Sequence, residues 1–429
     1  MKTIQNKSRR RFLKRSLALS IALTSLESQI FASEAEDDDL LRSRISGLLY
    51  GCLIGDAAGG PVEFKPVTET KDFLADVRNW DEDRTVDAAE IEKLAQTFPL
   101  LDYQTLRPGA EPYGQWTKKA PAGTVTDDTR HKIVLLRKLR ELDGKRPLNR
   151  NDLAAAYVAF GKSKTVTSRP HYQPLCEEGM IEHVKAAKWI LGERDADQAA
   201  PPSRIWGGLS TCCGQMTLPP VACIFVGQPK LAYQASYHLA FFDNGPGLDI
   251  NSAIVAGLAT ALATDAKQAR SQRWKQVTDT MRSVDPYHYH DIPYVDRRVN
   301  QWLDIASKIA AEAKGSPKKL FKLLEKDGKP KYFWEAHFIL VCVFSMVEFC
   351  DGDGMAAMHL ALDFGHDTDS VAQLIGAFTG ATEGADVFPN EMRRAVQERV
   401  AADYDESVEA WTELLTRLSQ SESPVFRVD

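Results

Sequence analysis

Apolar residues recur at intervals of three and four along most of the chain after residue 36, which is the spacing of helices that bury one face. The clearest examples are Leu41, Ile45, Leu48 and Cys52, and Ile133, Leu136, Leu139 and Leu142. Further helices are predicted at 151–161, 175–191, 229–241, 250–264, 267–282, 297–314, 316–325, 333–350, 354–363, 369–380, 389–401 and 404–419. No strand-like segments alternate with them. The pattern therefore predicts an all-α fold, a single-domain orthogonal helical bundle over residues 36–429.

Residues 64–123 interrupt the helical pattern with prolines, glycines and mixed charges. We expect a long loop insertion here, with one short helix near Ala88 to Ala95. Three aromatic residues in the insertion favour an ordered segment, namely Tyr103, Tyr113 and Trp116. They either shape one wall of a pocket or pack against the body of the protein.

The first 35 residues have the features of an export signal. Residues 8–14 form a complete twin-arginine pattern, and the apolar run that follows at 16–23 is too short to span a bilayer. We therefore expect residues 1–35 to be a twin-arginine signal peptide, cleaved after Ala32 or Ala35. The mature protein would then be periplasmic or otherwise exported, with no stable membrane insertion. The alternative is a basic disordered tail.

The charge balance of the chain argues against a nucleic-acid partner. The formal net charge is −6 although the first 32 residues hold seven Lys or Arg and one Glu, so the remainder is more acidic than the whole. An acidic surface repels phosphate backbones, and no nucleic-acid partner is expected.

The seven cysteines show no CxxC spacing and lie mostly in apolar contexts. They indicate buried thiols rather than a zinc site or a dense disulfide framework. The pattern does not decide whether a single disulfide forms.

Two short acidic motifs each precede an apolar helical run. They are Thr126-Asp127-Asp128-Thr129 and Asp367-Thr368-Asp369-Ser370. If the two helix ends meet, their carboxylates require a cation, and hard oxygen ligands suit Mg²⁺, Ca²⁺ or Mn²⁺ better than Zn²⁺. The alternative is that each motif is an ordinary helix cap, since Thr and Asp are common at that position.

Glycines spaced by four follow the same regions of the chain. Gly51, Gly55 and Gly59 precede Gly60-Pro61-Val62-Glu63, and Gly376, Gly380 and Gly384 follow the second acidic motif. Glycine is unfavourable inside a helix, so such a stripe indicates a backbone packed closely against a neighbour. Close approach of the two striped helices would bring Glu63 and both acidic motifs to one cleft.

Together these residues resemble the three signature blocks of the ADP-ribosylglycohydrolase family. The blocks are Gly51-xxx-Gly55-Asp56-Ala57-x-Gly59-x-Pro61-x-Glu63, Thr126-Asp127-Asp128-Thr129, and Gly365-x-Asp367-Thr368-Asp369-Ser370 with Gly376-Ala377 and Gly380-Ala381. They occur in the order of the family and bracket most of the chain.

The resemblance implies an all-helical fold that holds two Mg²⁺ ions, or Mn²⁺, and hydrolyses the bond joining ADP-ribose to a protein side chain or a small molecule. The implied metal ligands are Thr126, Asp127, Asp128, Asp367, Asp369 and Ser370. Glu63, Asp128 and Asp367 are the implied catalytic residues, with Glu63 beside the scissile bond as acid, base or metal ligand. Helix N-terminal amides are a further candidate site for the diphosphate.

The chain departs from the family pattern in its middle block. The stretch Gly214-Gln215-Met216-Thr217-Leu218-Pro219 has Thr217 where arginine is usual. His238 lies in an apolar helix, where a histidine is more often part of the core than catalytic. The pocket around the leaving group is therefore expected to differ from that of arginine-specific or serine-specific members.

Three classes of function remain open from the sequence. The first is a Mg²⁺-dependent hydrolase of the cell envelope that releases ADP-ribose from a small molecule or an ADP-ribosylated protein. The second is another metal-dependent hydrolase, acting on a nucleoside, a nucleotide sugar or a phosphoester. The third is a non-catalytic, crystallin-like relative. The four aspartates Asp127, Asp128, Asp367 and Asp369 disfavour the third, because a protein that only packs has no need of clustered carboxylates.

Overall fold

The computed structural model describes residues 38–63, 84–101, 121–160, 162–163, 180–291, 293–294 and 296–427. The predicted signal peptide and the aromatic residues Tyr103, Tyr113 and Trp116 lie outside these ranges. The chain divides between Ser43 and Arg44. The described part of the first unit, residues 38–43, is helical. Everything below concerns the second unit, which begins at Arg44.

The described residues form α-helices joined by turns and short 3₁₀ segments, with no strands among them, so the all-α prediction is confirmed. The only strand-like pairings in these ranges are isolated bridges between Leu148 and Phe426 and between Thr211 and Glu335. Within the second unit, helix α1 covers residues 44–59. The others are α2 Ala88–Gln96, α3 Asp127–Leu142, α4 Arg150–Phe160, α5 Ile181–Ile190, α6 Cys213–Thr217, α7 Pro219–Ala222, α8 Pro229–Leu239, α9 Pro246–Ala261, α10 Arg270–Ser283, α11 Arg298–Ala313, α12 Pro317–Asp327, α13 Ala336–Phe349, α14 Gly354–Phe364, α15 Thr368–Glu383, α16 Asn390–Tyr404 and α17 Val408–Ser419.

Helices α9, α13 and α15 form the centre of the core. Each is apolar or small on nearly every side and is buried along most of its length. A helix without a polar face is stable only where other helices cover it all round. Accordingly α9 packs against α6, α7, α8, α10, α11, α13 and α15.

The glycine stripes of α1 and α15 lie against each other, as predicted. Gly47, Gly51 and Gly55 of α1 lie opposite Gly380, Gly376 and Ala372 of α15, so the helices run antiparallel. A Cβ at Gly51 or Gly376 would overlap the backbone of the other helix, which is why these positions lack one.

The register extends this close contact to both ends of the pair. Gly59 lies opposite Asp369, where an added Cβ would come within 2.5 Å of the Asp369 Cα. Gly384 ends α15 with a φ of 86°, and a Cβ at Gly47 would come within 2.7 Å of the Gly384 carbonyl carbon. The contact therefore brings the end of α1, and Glu63 just beyond it, to the first turn of α15.

The short helix predicted within the insertion is present as α2. Asp87 caps it, because its side chain accepts hydrogen bonds from the amides of Ala89 and Glu90. The helix packs on α14, and His359 Nδ1 lies 2.8 Å from the Leu94 carbonyl oxygen. This part of the insertion is therefore attached to the body of the protein.

Helices α6 and α7 were not predicted, because five and four residues are too few to show a helical period. Six cysteines are free and buried, as expected, and the seventh, Cys176, lies outside the described ranges. In the part of the chain that the structure describes, no helix combines the length and hydrophobicity required to cross a membrane.

Candidate metal centre and active site

The two acidic motifs lie at the N-termini of α3 and α15. Thr126 caps α3, with its Oγ1 accepting from the Asp128 amide at 3.2 Å. Asp367 holds the equivalent position before α15 but makes no capping hydrogen bond with its side chain. The cap interpretation is therefore correct for Thr126 alone, and it does not account for the second motif.

The two helix N-termini meet, as the sequence predicted. Thr126 Oγ1 donates to Asp369 Oδ2 at 2.9 Å, and Ser370 Oγ donates to Asp128 Oδ1 at 3.3 Å. These hydrogen bonds join residues more than 240 positions apart in the chain. All four side chains are buried.

The carboxylates form two groups that share one residue. In the first group, Glu63, Asp367 and Asp369 each place an oxygen within 4.8 Å of the others. Asp127, Asp128 and Asp369 do the same in the second group, so Asp369 belongs to both. The residues that lie at one centre are therefore all six predicted ligands, Thr126, Asp127, Asp128, Asp367, Asp369 and Ser370, together with Glu63.

Burial and mutual repulsion favour the protonated forms of these acids when no cation is present. Burial, and then the charges of Glu63 and Asp128, raise the pKa of Asp369 well above its usual range. Burial raises the pKa of Asp367 to about 6. Burial also raises the pKa of Asp128 well above its usual range, against the opposing effect of Lys132. A bound cation would reverse these shifts.

The donor set fits hard divalent cations. Every ligating atom in the two groups is a carboxylate or hydroxyl oxygen, which suits Mg²⁺ or Mn²⁺. The sharing of Asp369 suits two adjacent ions, because one carboxylate has an oxygen for each.

Asp56 organises the N-terminus of α3 and was not among the predicted site residues. Its Oδ1 accepts from the Thr126 amide at 2.9 Å. Its Oδ2 accepts from the Thr129 amide at 3.0 Å and from the Thr129 hydroxyl. An acid inside the α1 stripe was the available signal, since a fully buried Asp in a helix requires partners.

The Asp56 contacts also correct one expectation. Asp128 and Thr129 donate their amides within the protein, to Thr126 and to Asp56 respectively. The first turn of α3 therefore does not offer these N–H groups to a diphosphate.

Lys132 and Gln373 form a buried polar support behind the metal centre, which the sequence did not reveal. Lys132 is 3% exposed and donates to the Asp128 carbonyl at 3.1 Å and to Gln373 Oε1. Gln373 in turn donates to Asp128 Oδ1 and to the Gln215 carbonyl, the latter at 3.3 Å. Lys132 lies one turn after Asp128 and Gln373 lies one turn after Asp369, so both face the centre.

The middle block contributes a thiol to the rim of the centre. Cys212 Sγ lies 3.8 Å from Asp367 Oδ2 and 3.7 Å from Ser370 Oγ. Thr217, which replaces the usual arginine, is fully buried and its Oγ1 lies 2.9 Å from the Tyr157 hydroxyl. This position therefore has a structural role in the chain.

His238 lies outside the carboxylate groups, as predicted, but it is half-buried instead of belonging to the core. Its Nε2 lies 2.8 Å from the Tyr287 hydroxyl.

Comparison with known proteins identifies the family and the fold of the chain. The model of the ADP-ribosylglycohydrolase family matches residues 37–424. A solved structure described as "ADP-ribosylglycohydrolase-related protein complex" is similar in fold, with a TM-score of 0.50 and 17% sequence identity, over 89% of this chain and 100% of that one. The curated proteins include no match to this sequence. Because the family model covers nearly the whole chain, the protein belongs to the ADP-ribosylglycohydrolase family.

Proposed function

We propose that this protein is a metal-dependent hydrolase that cleaves the glycosidic bond between ADP-ribose and an acceptor, which is a protein side chain or a small molecule. The observation that carries the proposal is the pair of carboxylate groups sharing Asp369 at the facing N-termini of α3 and α15. Family membership supports a glycohydrolase activity, and the oxygen donors support a magnesium-type cofactor.

Two Mg²⁺ ions, or Mn²⁺ in their place, would be held by the predicted ligands, with Glu63 as a member of the first group. When bound, such ions polarise oxygen ligands and orient the ribose hydroxyls. The remaining work falls to the side chains. Cleavage of a glycosidic bond develops positive charge on the sugar, which the carboxylates of Asp367 and Asp128 stabilise.

Glu63 is the group best suited to move a proton. It follows the 3₁₀ turn Gly60–Val62, is 6% exposed, and lies within the group containing Asp367 and Asp369. A buried carboxylate in contact with the centre is placed to take a proton from a water molecule, which is the work of a general base. We propose that Glu63 activates the attacking water.

We further propose that the enzyme acts outside the cytoplasm. The support for this is the twin-arginine pattern at residues 8–14. Export in the folded state would allow the buried centre to take up its metal before translocation.

The direct test is calorimetric titration of ADP-ribose into the full chain with and without Mg²⁺, using the wild type, Asp367→Asn, and Asp386→Asn as a matched control. Asp386 is a 90% exposed aspartate just after α15. We expect binding that requires Mg²⁺, is lost in Asp367→Asn and is unchanged in Asp386→Asn.

Other outcomes would assign the protein to a different class. Metal binding without ADP-ribose binding would reject the ADP-ribose substrate and favour a hydrolase of another nucleotide or phosphoester. Absence of metal binding would reject the catalytic proposal and favour a crystallin-like relative.

A further inference from the structure

A second cluster of metal-ligating side chains lies on the connection between α10 and α11. His288, His290 and Asp291 are exposed, and one ligand atom from each lies within 4.8 Å of the others. They occupy the 3₁₀ turn Tyr289–Asp291 and the residue before it. His288 adopts a left-handed conformation with a φ of 61°, which turns its ring toward the other two.

The distances between the ligand atoms of these three side chains are close to those around a four-coordinate metal ion. His290 Nε2 lies 2.7 Å from Asp291 Oδ1, and His288 Nδ1 lies 3.2 Å from Asp291 Oδ2. Zinc binds nitrogen and oxygen ligands at about 2.0–2.2 Å, so ligand atoms at neighbouring corners of its tetrahedron are about 3.3 Å apart. Small rotations of exposed side chains would suffice to close the site.

The buried carboxylate of Asp285 contacts His290 at the ring nitrogen that does not face Asp291. The Asp285 side chain is 2% exposed, and its Oδ2 accepts from the His290 amide at 2.8 Å and contacts His290 Nδ1. Such carboxylate–histidine pairs are typical of metal sites, because they fix the tautomer and leave Nε2 free to bind the ion.

Tyrosines on either side of His288 attach the segment to α8. The hydroxyls of Tyr289 and Tyr237 lie 2.7 Å apart, and Tyr287 bonds to His238. The backbone that carries the cluster is therefore supported by the body of the protein.

We propose that His288, His290 and Asp291 bind a borderline divalent transition-metal ion such as Zn²⁺, with Asp285 positioning His290 and a fourth site open to solvent. Imidazole nitrogen with one carboxylate suits Zn²⁺, whereas the hard oxygen centre at α3 and α15 suits Mg²⁺. The proposal does not rest on the glycohydrolase activity.

The rival interpretation is an ion-pair cluster without metal. The hydrogen bond to Asp285 raises the pKa of His290, so a protonated His290 bridging Asp285 and Asp291 would also explain the geometry. Binding measurements separate the two interpretations.

The test is calorimetric titration of Zn²⁺ into the full chain in saturating Mg²⁺, which keeps the carboxylate centre filled. We expect one equivalent of Zn²⁺ to bind the wild type, with affinity reduced by at least about tenfold in His288→Ala or His290→Ala and by about 10–100-fold in Asp285→Asn. Asp279→Asn is the matched control for Asp291→Asn, because the two carboxylates are similarly exposed, at 58% and 59%. The control should bind Zn²⁺ as the wild type does, and Asp291→Asn should not.

Co²⁺ gives a second readout, since a four-coordinate site with imidazole ligands absorbs visible light. We expect that absorption in the wild type and in Asp367→Asn, and its loss in His290→Ala. Zn²⁺ binding that persists in the double variant His288→Ala/His290→Ala, or that disappears only in Asp367→Asn, would overturn the proposal. So would the absence of any Zn²⁺ binding in the wild type. Thermal unfolding of each variant shows that it is folded.

Discussion

The carboxylate centre and the His288–Asp291 turn are both clusters of metal-ligating side chains, and they are built in opposite ways. The first is buried and joins residues more than 240 positions apart, from Thr126 to Asp369. The second is exposed and its ligands span four consecutive residues. Burial means that the first cluster needs either a cation or bound protons, because several carboxylates cannot stay ionised together in a protein interior. The second cluster needs neither, because water can solvate each exposed group.

The largest effect should come from Asp369→Asn, which removes the carboxylate common to both groups of the buried centre. Mutating a residue that only positions a metal ligand lowers affinity by up to about 100-fold. Asp369 is itself a proposed ligand, so we expect Mg²⁺ affinity and Mg²⁺-dependent ADP-ribose binding to fall by more than that. Calorimetry measures both quantities, and Zn²⁺ binding in saturating Mg²⁺ should be unaffected. Wild-type Mg²⁺ affinity in Asp369→Asn, alongside a normal Asp386→Asn control, would show that the centre is not organised around this residue.

Gly51→Ala should disrupt the buried centre without changing any ligand. The new Cβ would overlap the Gly376 carbonyl, and overpacking of this kind costs about 1–3 kcal/mol or more. We expect a lower Tm and weaker Mg²⁺ binding, with the exposed turn unaffected. Gly192→Ala is the comparison, since its φ of 101° is strained but nothing lies within 4 Å. That variant should lose only about 1 kcal/mol of stability. Equal effects of the two variants would argue against the close helix contact.

Lys132→Met tests the polar support behind the centre. The change keeps much of the volume but leaves the Asp128 carbonyl and Gln373 without the lysine donor, at a cost of about 1–3 kcal/mol. Thermal unfolding should show a lower Tm in the metal-free protein. Because the site then has one positive charge fewer, saturating Mg²⁺ should restore more stability than in the wild type. A Tm that is unchanged without metal would contradict this role.

The smallest effect concerns pH. The folded-state pKa of Asp367 is raised to about 6, so without metal the folded protein holds a proton that the unfolded chain has lost. Metal-free stability therefore falls as pH rises from about 4 to 6. Mg²⁺ must displace that proton, so its Kd should increase by up to about tenfold per pH unit below 6.

Unfolding scans with and without Mg²⁺ measure this dependence. The rise in Tm caused by Mg²⁺ should be larger at pH 7.5 than at pH 5. An equal rise at both pH values would mean that Mg²⁺ binding does not displace a proton from Asp367.

Much of the fold was predictable because helical periodicity is local. The presence of α9, α13 and α15 follows from apolar spacing within each segment, and their observed ends lie within four residues of the predicted ones. The meeting of the carboxylates was predictable from the sequence, since two acidic motifs and two glycine stripes are visible in it. These motifs resemble the signature blocks of the ADP-ribosylglycohydrolase family, and the match to the family model confirmed that the chain belongs to it.

The supporting residues could not be predicted, because their partners lie far away in the chain. Asp56 is an acid inside a helix until α3 directs two amides at it. Lys132 and Gln373 occupy unremarkable helical positions until α3 and α15 face each other. The register that sets Gly59 against Asp369 is likewise a property of the packed pair of helices.

The cluster on the exposed turn could not be predicted either, although its residues are close together in the sequence. Asp285, His288, His290 and Asp291 are close together in the sequence, but their spacing has no meaning until the backbone turns at His288. The sequence by itself determined the helices, the two acidic motifs and the stripes that allow close contact, because each depends on residues within a few turns. Only the tertiary structure decided that Asp369 is shared, that Asp56 and Lys132 support the centre, and that a second cluster exists. Those features depend on distances between atoms that no local pattern encodes.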